Sequence, residues 1–227
     1  MQLNSEPKAR FHLFKKLFRR SGTPVPEVAS SNNRFLAALE RIKASPLYNP
    51  NTNDQAPHGL FDGRRIIGDS NRINGGVYLG VIAHEAVVVD DSYGRLEELY
   101  QQSILKFVRD GGRRSQIESD IFRHVIKFAE EQLPLDPARI RKLAHQRAIS
   151  PDRKIALDFY LREKAGAARH QVLLAAYLLQ RMRERKLING EIVIDPHFSE
   201  LPAEDESLVY IGADGARFVF SPTLQSH

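Results

Sequence analysis

The sequence predicts an α+β protein, and three observations carry that prediction. Apart from two β-rich runs near residue 80, segments of helical period dominate before Gly190; one of them holds eight consecutive apolar residues, Val172 to Leu179; and beyond Gly190 the period becomes that of strands. Helices followed by an antiparallel sheet segregate the two kinds of element around one core.

Composition bounds the class. At 227 residues, 42% hydrophobic and 27% charged with a mean hydropathy of -0.39, the chain has the makeup of a soluble globular protein. No stretch approaches the roughly 18 uninterrupted apolar residues of a spanning helix, and the Met1 end lacks an apolar core with a cleavage site. The expectation is a cytoplasmic protein, or a secreted effector delivered without a cleavable signal. There are 0 cysteines, which excludes disulfides, Cys-ligated metal centres and thiolate catalysis in this chain. With 2 methionines and 0 tryptophans, a Met-rich promiscuous groove is disfavoured.

The net charge of +5 is local. Residues 1–20 hold six Lys/Arg (Lys8, Arg10, Lys15, Lys16, Arg19, Arg20) against Glu6, and the rest of the chain balances 27 bases with 27 acids. That arm contains FHLFKKLFRR, with Phe11, Phe14 and Phe18 at helical spacing beside Leu13 and Leu17, a pattern suited to an anionic membrane surface or a partner groove, and also to a short helix docked on its own domain or a frayed terminus. A polar, proline-bearing linker follows (SGTPVPEVASSNN), so residues 1–33 are read as arm and linker and 34–227 as one domain. The balanced body argues against general nucleic-acid binding.

The elements follow in order. Phe35, Leu36, Leu39 and Ile42 mark a short amphipathic helix from Arg34 to Ala44, and residues 45–76, rich in Pro, Asn, Asp and Gly, read mostly as loop. VYLGVI (Val77 to Ile82) and AVVVD (Ala86 to Asp90) predict a hairpin around Ala83 to Glu85, or one bent strand. Leu96, Leu99, Tyr100, Ile104, Phe107 and Val108 line one helix; Ile117, Ile121, Val125 and Phe128 line the next; and after Pro134 and Pro137 a basic helix runs from about Ala138 to Ala148. Ser150, Pro151 and Asp152 signal a further helix start with Ile155 and Phe159 on its inner face. The run in GAARHQVLLAAYLLQRMRER makes a helix covered on all sides, the central one of the fold. EIVI, SLVYIG and ARFVF then predict three strands, with a turn at Asp214 and Gly215.

The first turn of the central helix, near Ala167 to Arg169, offers unpaired N–H groups and the positive end of the helix dipole. A thiol there would ionise readily and attack a carbonyl carbon. The residue present is Ala168.

GAARHQVLLAAYLLQRM, with the later strands ending GADGARFVFSPTLQ, resembles the bacterial transglutaminase-like family, a branch of the papain-like cysteine hydrolases and transferases. That family shows G-x-C-R-H-x-A-L-L on its central helix, then a strand opening H-A-W-V and a strand closing on D-P-T. The likeness covers residues 150–225 well and the preceding helices loosely. It implies a papain-like core in which the buried helix packs on the C-terminal antiparallel sheet.

The same resemblance exposes what is missing. The nucleophile's place falls on Ala168, the general-base histidine's on Glu206 or an immediate neighbour in DESLVYIG, and the orienting aspartate's on Ser221. A methyl, a carboxylate and a hydroxyl cannot replace a thiolate, an imidazole and the carboxylate that fixes its tautomer, so no turnover by that mechanism is expected. Arg169 and His170 match the family motif: they either line a surviving cleft that binds an acidic or amide-bearing partner, or cap the helix start and pair with acids such as Asp158 or Glu163. His197 takes a catalytic place if the strand register is shifted.

Other candidates carry less. Ser221 lacks a G-x-S-x-G elbow. His84 and Glu85 lack the second histidine of a zinc helix. Gly75 and Gly76 lead into a strand, which favours a tight turn over a phosphate cradle. Arg113 and Arg114 read as solvated loop charges. No metal or cofactor is called for.

Three functional readings result. The leading one is a catalytically inactive transglutaminase-like protein, a pseudoenzyme that binds a protein or peptide in the old substrate cleft. A second makes Ala168 the disarmed position of a cysteine protease, amidase or transglutaminase acting on peptide or glutamine amides, which accounts for Ala168 but leaves Glu206 and Ser221 unexplained. A third is a membrane-surface adaptor or effector anchored by residues 8–20.

Overall fold

The computed structural model describes residues 33–50, 56–68, 72–79, 85–112, 118–146, 153–195 and 207–222. The amphipathic arm, Arg113, Arg114, Ser150 to Asp152, His84, His197 and Glu206 therefore lie outside the described residues.

Helix α1 (Asn33–Lys43) buries Ala38, Leu39 and Ile42 and ends on Arg41 and Lys43, cations that suit the negative end of a helix. The segment expected to be loop then makes a small antiparallel sheet of two-residue strands, β1 (Tyr48–Asn49), β2 (Leu60–Phe61) and β3 (Arg64–Arg65). Asp62 (φ 47°) and Gly63 (φ 74°) both have positive φ in the β2–β3 turn, the geometry a two-residue hairpin demands and an Asp-Gly pair tolerates.

Strand β4 (Gly76–Leu79) pairs antiparallel with β5 (Glu85–Val89), Gly76 opposite Val89, so of the two arrangements expected here the antiparallel pair is the one found. Side chains alternate across it. Val77, Leu79, Ala86 and Val88 join Phe61, Ile66 and the apolar face of α1 in one cluster, whereas Tyr78, Val87 and Val89 face the main core. Both faces are covered, which is why AVVV reads as an uninterrupted apolar run.

Past a 3-10 turn (Asp91–Tyr93) come α2 (Arg95–Arg109), α3 (Glu118–Gln132) and α4 (Pro137–Gln146). Val108, expected on the inner face of α2, is 61% exposed, because the buried stripe of that helix ends a turn earlier at Ser103. The helix start expected at Ser150 to Asp152 needs correction as well. Arg153–Ala156 is a strand, β6, lying parallel to β5 with Glu85 opposite Arg153 and Val88 opposite Ala156, and α5 (Leu157–Glu163) begins only after it. The free edge of β5 takes up the backbone groups of residues 153–156, so pairing overrides local helix propensity.

Helix α6 (Ala168–Glu184) is buried from His170 through Gln180, as the eight-residue apolar run requires. It packs against α3 and, on another side, against β7 (Glu191–Asp195) and β8 (Ser207–Ile211); β9 (Arg217–Phe220) completes an antiparallel β7-β8-β9 sheet. Gly215 turns the β8–β9 connection at φ 78°. The architecture is α+β, with a mixed β4-β5-β6 sheet in addition to the expected C-terminal one.

Candidate functional site

The N-terminal end of α6 is held in place before the helix begins. The Gly166 N–H donates to the Pro134 carbonyl (2.9 Å), the Asp136 N–H donates to the Gly166 carbonyl (3.0 Å), and Gln171 Nε2 donates to the Leu133 carbonyl (2.7 Å). The approach to α6 is thus tied to the connection between α3 and α4. A side chain at position 166 would bring its Cβ to 3.1 Å from the Leu133 Cβ and 3.2 Å from the Leu133 carbonyl oxygen, which leaves room only for glycine without movement.

Ala167 is the residue that flanks the helix, and it has no side-chain acceptor for the orphan donors. The bond runs the other way: His170 Nδ1 accepts the Ala167 N–H at 3.0 Å, a part that Glu or Gln commonly takes three residues into a helix. The His170 ring is fully buried and stacks on Tyr160, centroids 3.8 Å apart and planes 21° from parallel. Of the two roles open to His170 in the sequence, this geometry is the capping one, and a ring with no exposed surface does not line an open cleft. Arg169 is half-buried. The acids considered as its partners bond elsewhere: Asp158 meets Arg162 Nε at 3.2 Å and Glu163 meets Arg139 at 3.0 Å.

Ala168 is the first residue of α6 and is half-buried. Ser221 follows β9 directly after the Leu208–Phe220 pair and is 4% exposed, and Ser207, the first residue of β8, is fully buried. This end of the sheet therefore carries two buried serines. Nucleophilic attack from Ala168 is chemically impossible, and the nearest described imidazole in the sequence, His170, already uses its Nδ1 lone pair on the Ala167 N–H.

Comparison with protein-family models, with curated proteins and with solved structures finds no match. The functional reading rests on the chain's own residues.

Apolar periodicity does not single out the two glutamines that flank the apolar run of α6, although a polar residue at either end of an all-round buried helix is itself a signal. Gln171 Oε1 is buried and has no hydrogen bond among the described residues. Gln180 Oε1 accepts from the backbone N–H groups of Ile73 (2.7 Å) and Asn74 (3.2 Å), fixing the turn before β4 to the C-terminal half of α6. Beside it Arg181 bonds Glu97 (2.9 Å) and Glu184 (2.7 Å) with its guanidinium carbon 5.7 Å from the Tyr100 ring centre. Burial works against the Arg181 charge, yet these carboxylates outweigh it and raise its pKa above the ordinary value.

One Ser–His contact resembles a nucleophile and its base. Ser103 Oγ lies 3.3 Å from His124 Nε2, but the same nitrogen is 2.9 Å from the Ser103 carbonyl oxygen. A carbonyl can only accept, so Nε2 carries the hydrogen and cannot take the serine proton. The ring is lodged between Phe107 (5.1 Å, edge-on) and Phe128 (6.3 Å, stacked), where burial lowers its pKa. This is packing between α2 and α3, not a catalytic pair.

Proposed function

We propose that this protein is a catalytically inactive relative of the transglutaminase-like enzymes, with a papain-like core, that binds a protein or peptide where such enzymes hold their substrate. The single observation carrying the reading is a rigidly held helix start with no reactive atom on it: the Gly166 clamp and the His170 cap position Ala168 as a nucleophile would need to be positioned, and the chain has 0 cysteines. The order of elements supports it. β7 follows α6 after a short turn and packs against it, carrying the Ser207–Ser221 end of the sheet away from the C-terminal end of α6.

The test is transfer of a fluorescent primary amine to a glutamine-rich protein, run with the full chain and with Ala168→Cys. Neither is expected to turn over, because the variant gains a thiol without a base. Turnover restored by Ala168→Cys alone would replace this reading with that of a disarmed but otherwise intact cysteine enzyme. Binding is checked with an array of glutamine-containing peptides. Saturable binding to a subset, weakened by Arg169→Glu, is expected; uniform failure to bind counts against the proposal.

A further inference from the structure

Away from α6, the two arginines of β3 find different kinds of partner among the described residues. Arg64 and Arg65 are adjacent on a two-residue strand, so their side chains point to opposite faces. Arg64 finds a carboxylate, Asp90, at 2.5 Å. Arg65 finds none among the described residues: its Nε donates to the Arg72 carbonyl (3.1 Å) and its second terminal nitrogen to the Asn74 carbonyl (2.6 Å). Those two bonds fix the plane of a half-buried guanidinium against the turn before β4.

The charge is held but not neutralised. Among the described residues neither Arg65 nor Arg72 takes part in an ion pair, and Arg72 is exposed on the turn that Arg65 grips. Burial lowers the Arg65 pKa, and the positive charge of Arg72 adds to that effect. The Arg64–Asp90 pair is internally compensated and does not relieve it. The turn is in turn anchored from below by Gln180, which receives the Ile73 and Asn74 N–H groups, so Arg65 and Arg72 sit on a braced platform.

We propose that Arg65 and Arg72 form a binding site for a small phosphate-bearing anion beside β3 and the turn at residues 72–75. A guanidinium fixed in plane against a turn that carries a second arginine, with no carboxylate paired to either among the described residues, matches the planar, multidentate recognition of phosphate oxygens. Occupancy offsets both the repulsion and the lost hydration of Arg65. This site stands independently of how the start of α6 is read.

Isothermal titration of the full chain with inorganic phosphate and with glycerol phosphate, at matched ionic strength in chloride, tests it. Saturable binding is expected, weakened about tenfold by Arg72→Gln, the loss of one charge-assisted contact. Arg72 is exposed, so that variant leaves the fold intact, and Arg95→Gln serves as a control expected to bind like the parent. Equal affinity for the two ligands identifies the free anion as sufficient, and a preference for the ester identifies a phosphoester; either result upholds the site. No binding beyond the chloride reference, or unchanged binding by Arg72→Gln, overturns it.

Discussion

His170 shows how one side chain can look catalytic in sequence and be structural in place. Its Nδ1 closes the first turn of α6 on the Ala167 N–H while its ring fills the space over Tyr160. His170→Ala removes both, and loss of the cap alone costs about 1 kcal/mol; His170→Gln keeps an acceptor three residues into the helix and is expected to be the less destabilised variant in chemical denaturation. His124 supplies a pH dependence. Its folded pKa is lowered by burial, with Lys106 adding to the effect, while the hydrogen bond to the Ser103 carbonyl, and then Asp110 and Glu131, oppose the shift. The fold therefore binds its proton less well than the unfolded chain does. The stability it contributes is complete above about pH 6.5, the ordinary histidine value, and is lost as pH falls through the lower folded value. Melting temperature followed from pH 8 to pH 5 should decline less in His124→Gln than in the parent, and parallel curves would contradict this assignment.

Among the elements, the junction between α6 and the C-terminal sheet tolerates least. A Cβ on Gly190 would overlap the ring and hydroxyl of Tyr210 and come within 2.5 Å of the Ile211 carbonyl oxygen. The Gly190 N–H also donates to the Tyr210 hydroxyl at 2.9 Å, a group whose pKa is raised by burial and by Glu118. Gly190→Ala is accordingly expected to cost about 1–3 kcal/mol or more, read as a lower urea midpoint. Leu174→Ala, in the fully buried middle of α6, should cost about 2–5 kcal/mol by leaving a cavity. The elements also mark where periodicity suffices. Eight apolar residues in succession made α6 readable, and the short β-branched and aromatic runs in SLVYI and RFVF, set apart by the Asp-Gly turn, made β8 and β9 readable. Residues 153–156 are not legible as a strand, because the partner that makes them one, β5, lies some seventy positions earlier, and no local pattern encodes that pairing.

At the scale of the whole molecule, one core runs from Tyr78, Val87 and Val89 of the mixed sheet, through α3 and α6, to Leu208, Tyr210 and Phe220 of the antiparallel one, with the smaller α1 cluster on the far face of β4 and β5. Among the described residues no helix is long and apolar enough to cross a membrane. Composition and periodicity were enough to establish the α+β class, the central helix, the C-terminal strands and the absence of any thiol, because each depends on residue identity or on neighbours a few positions apart. Only the tertiary structure decided that His170 caps a helix, that β6 joins β5, and that Arg65 is bonded to the turn carrying Arg72 with no ion pair to either among the described residues. Those outcomes depend on which distant groups meet in space, and burial makes such meetings costly or favourable in ways that spacing along the chain does not reveal.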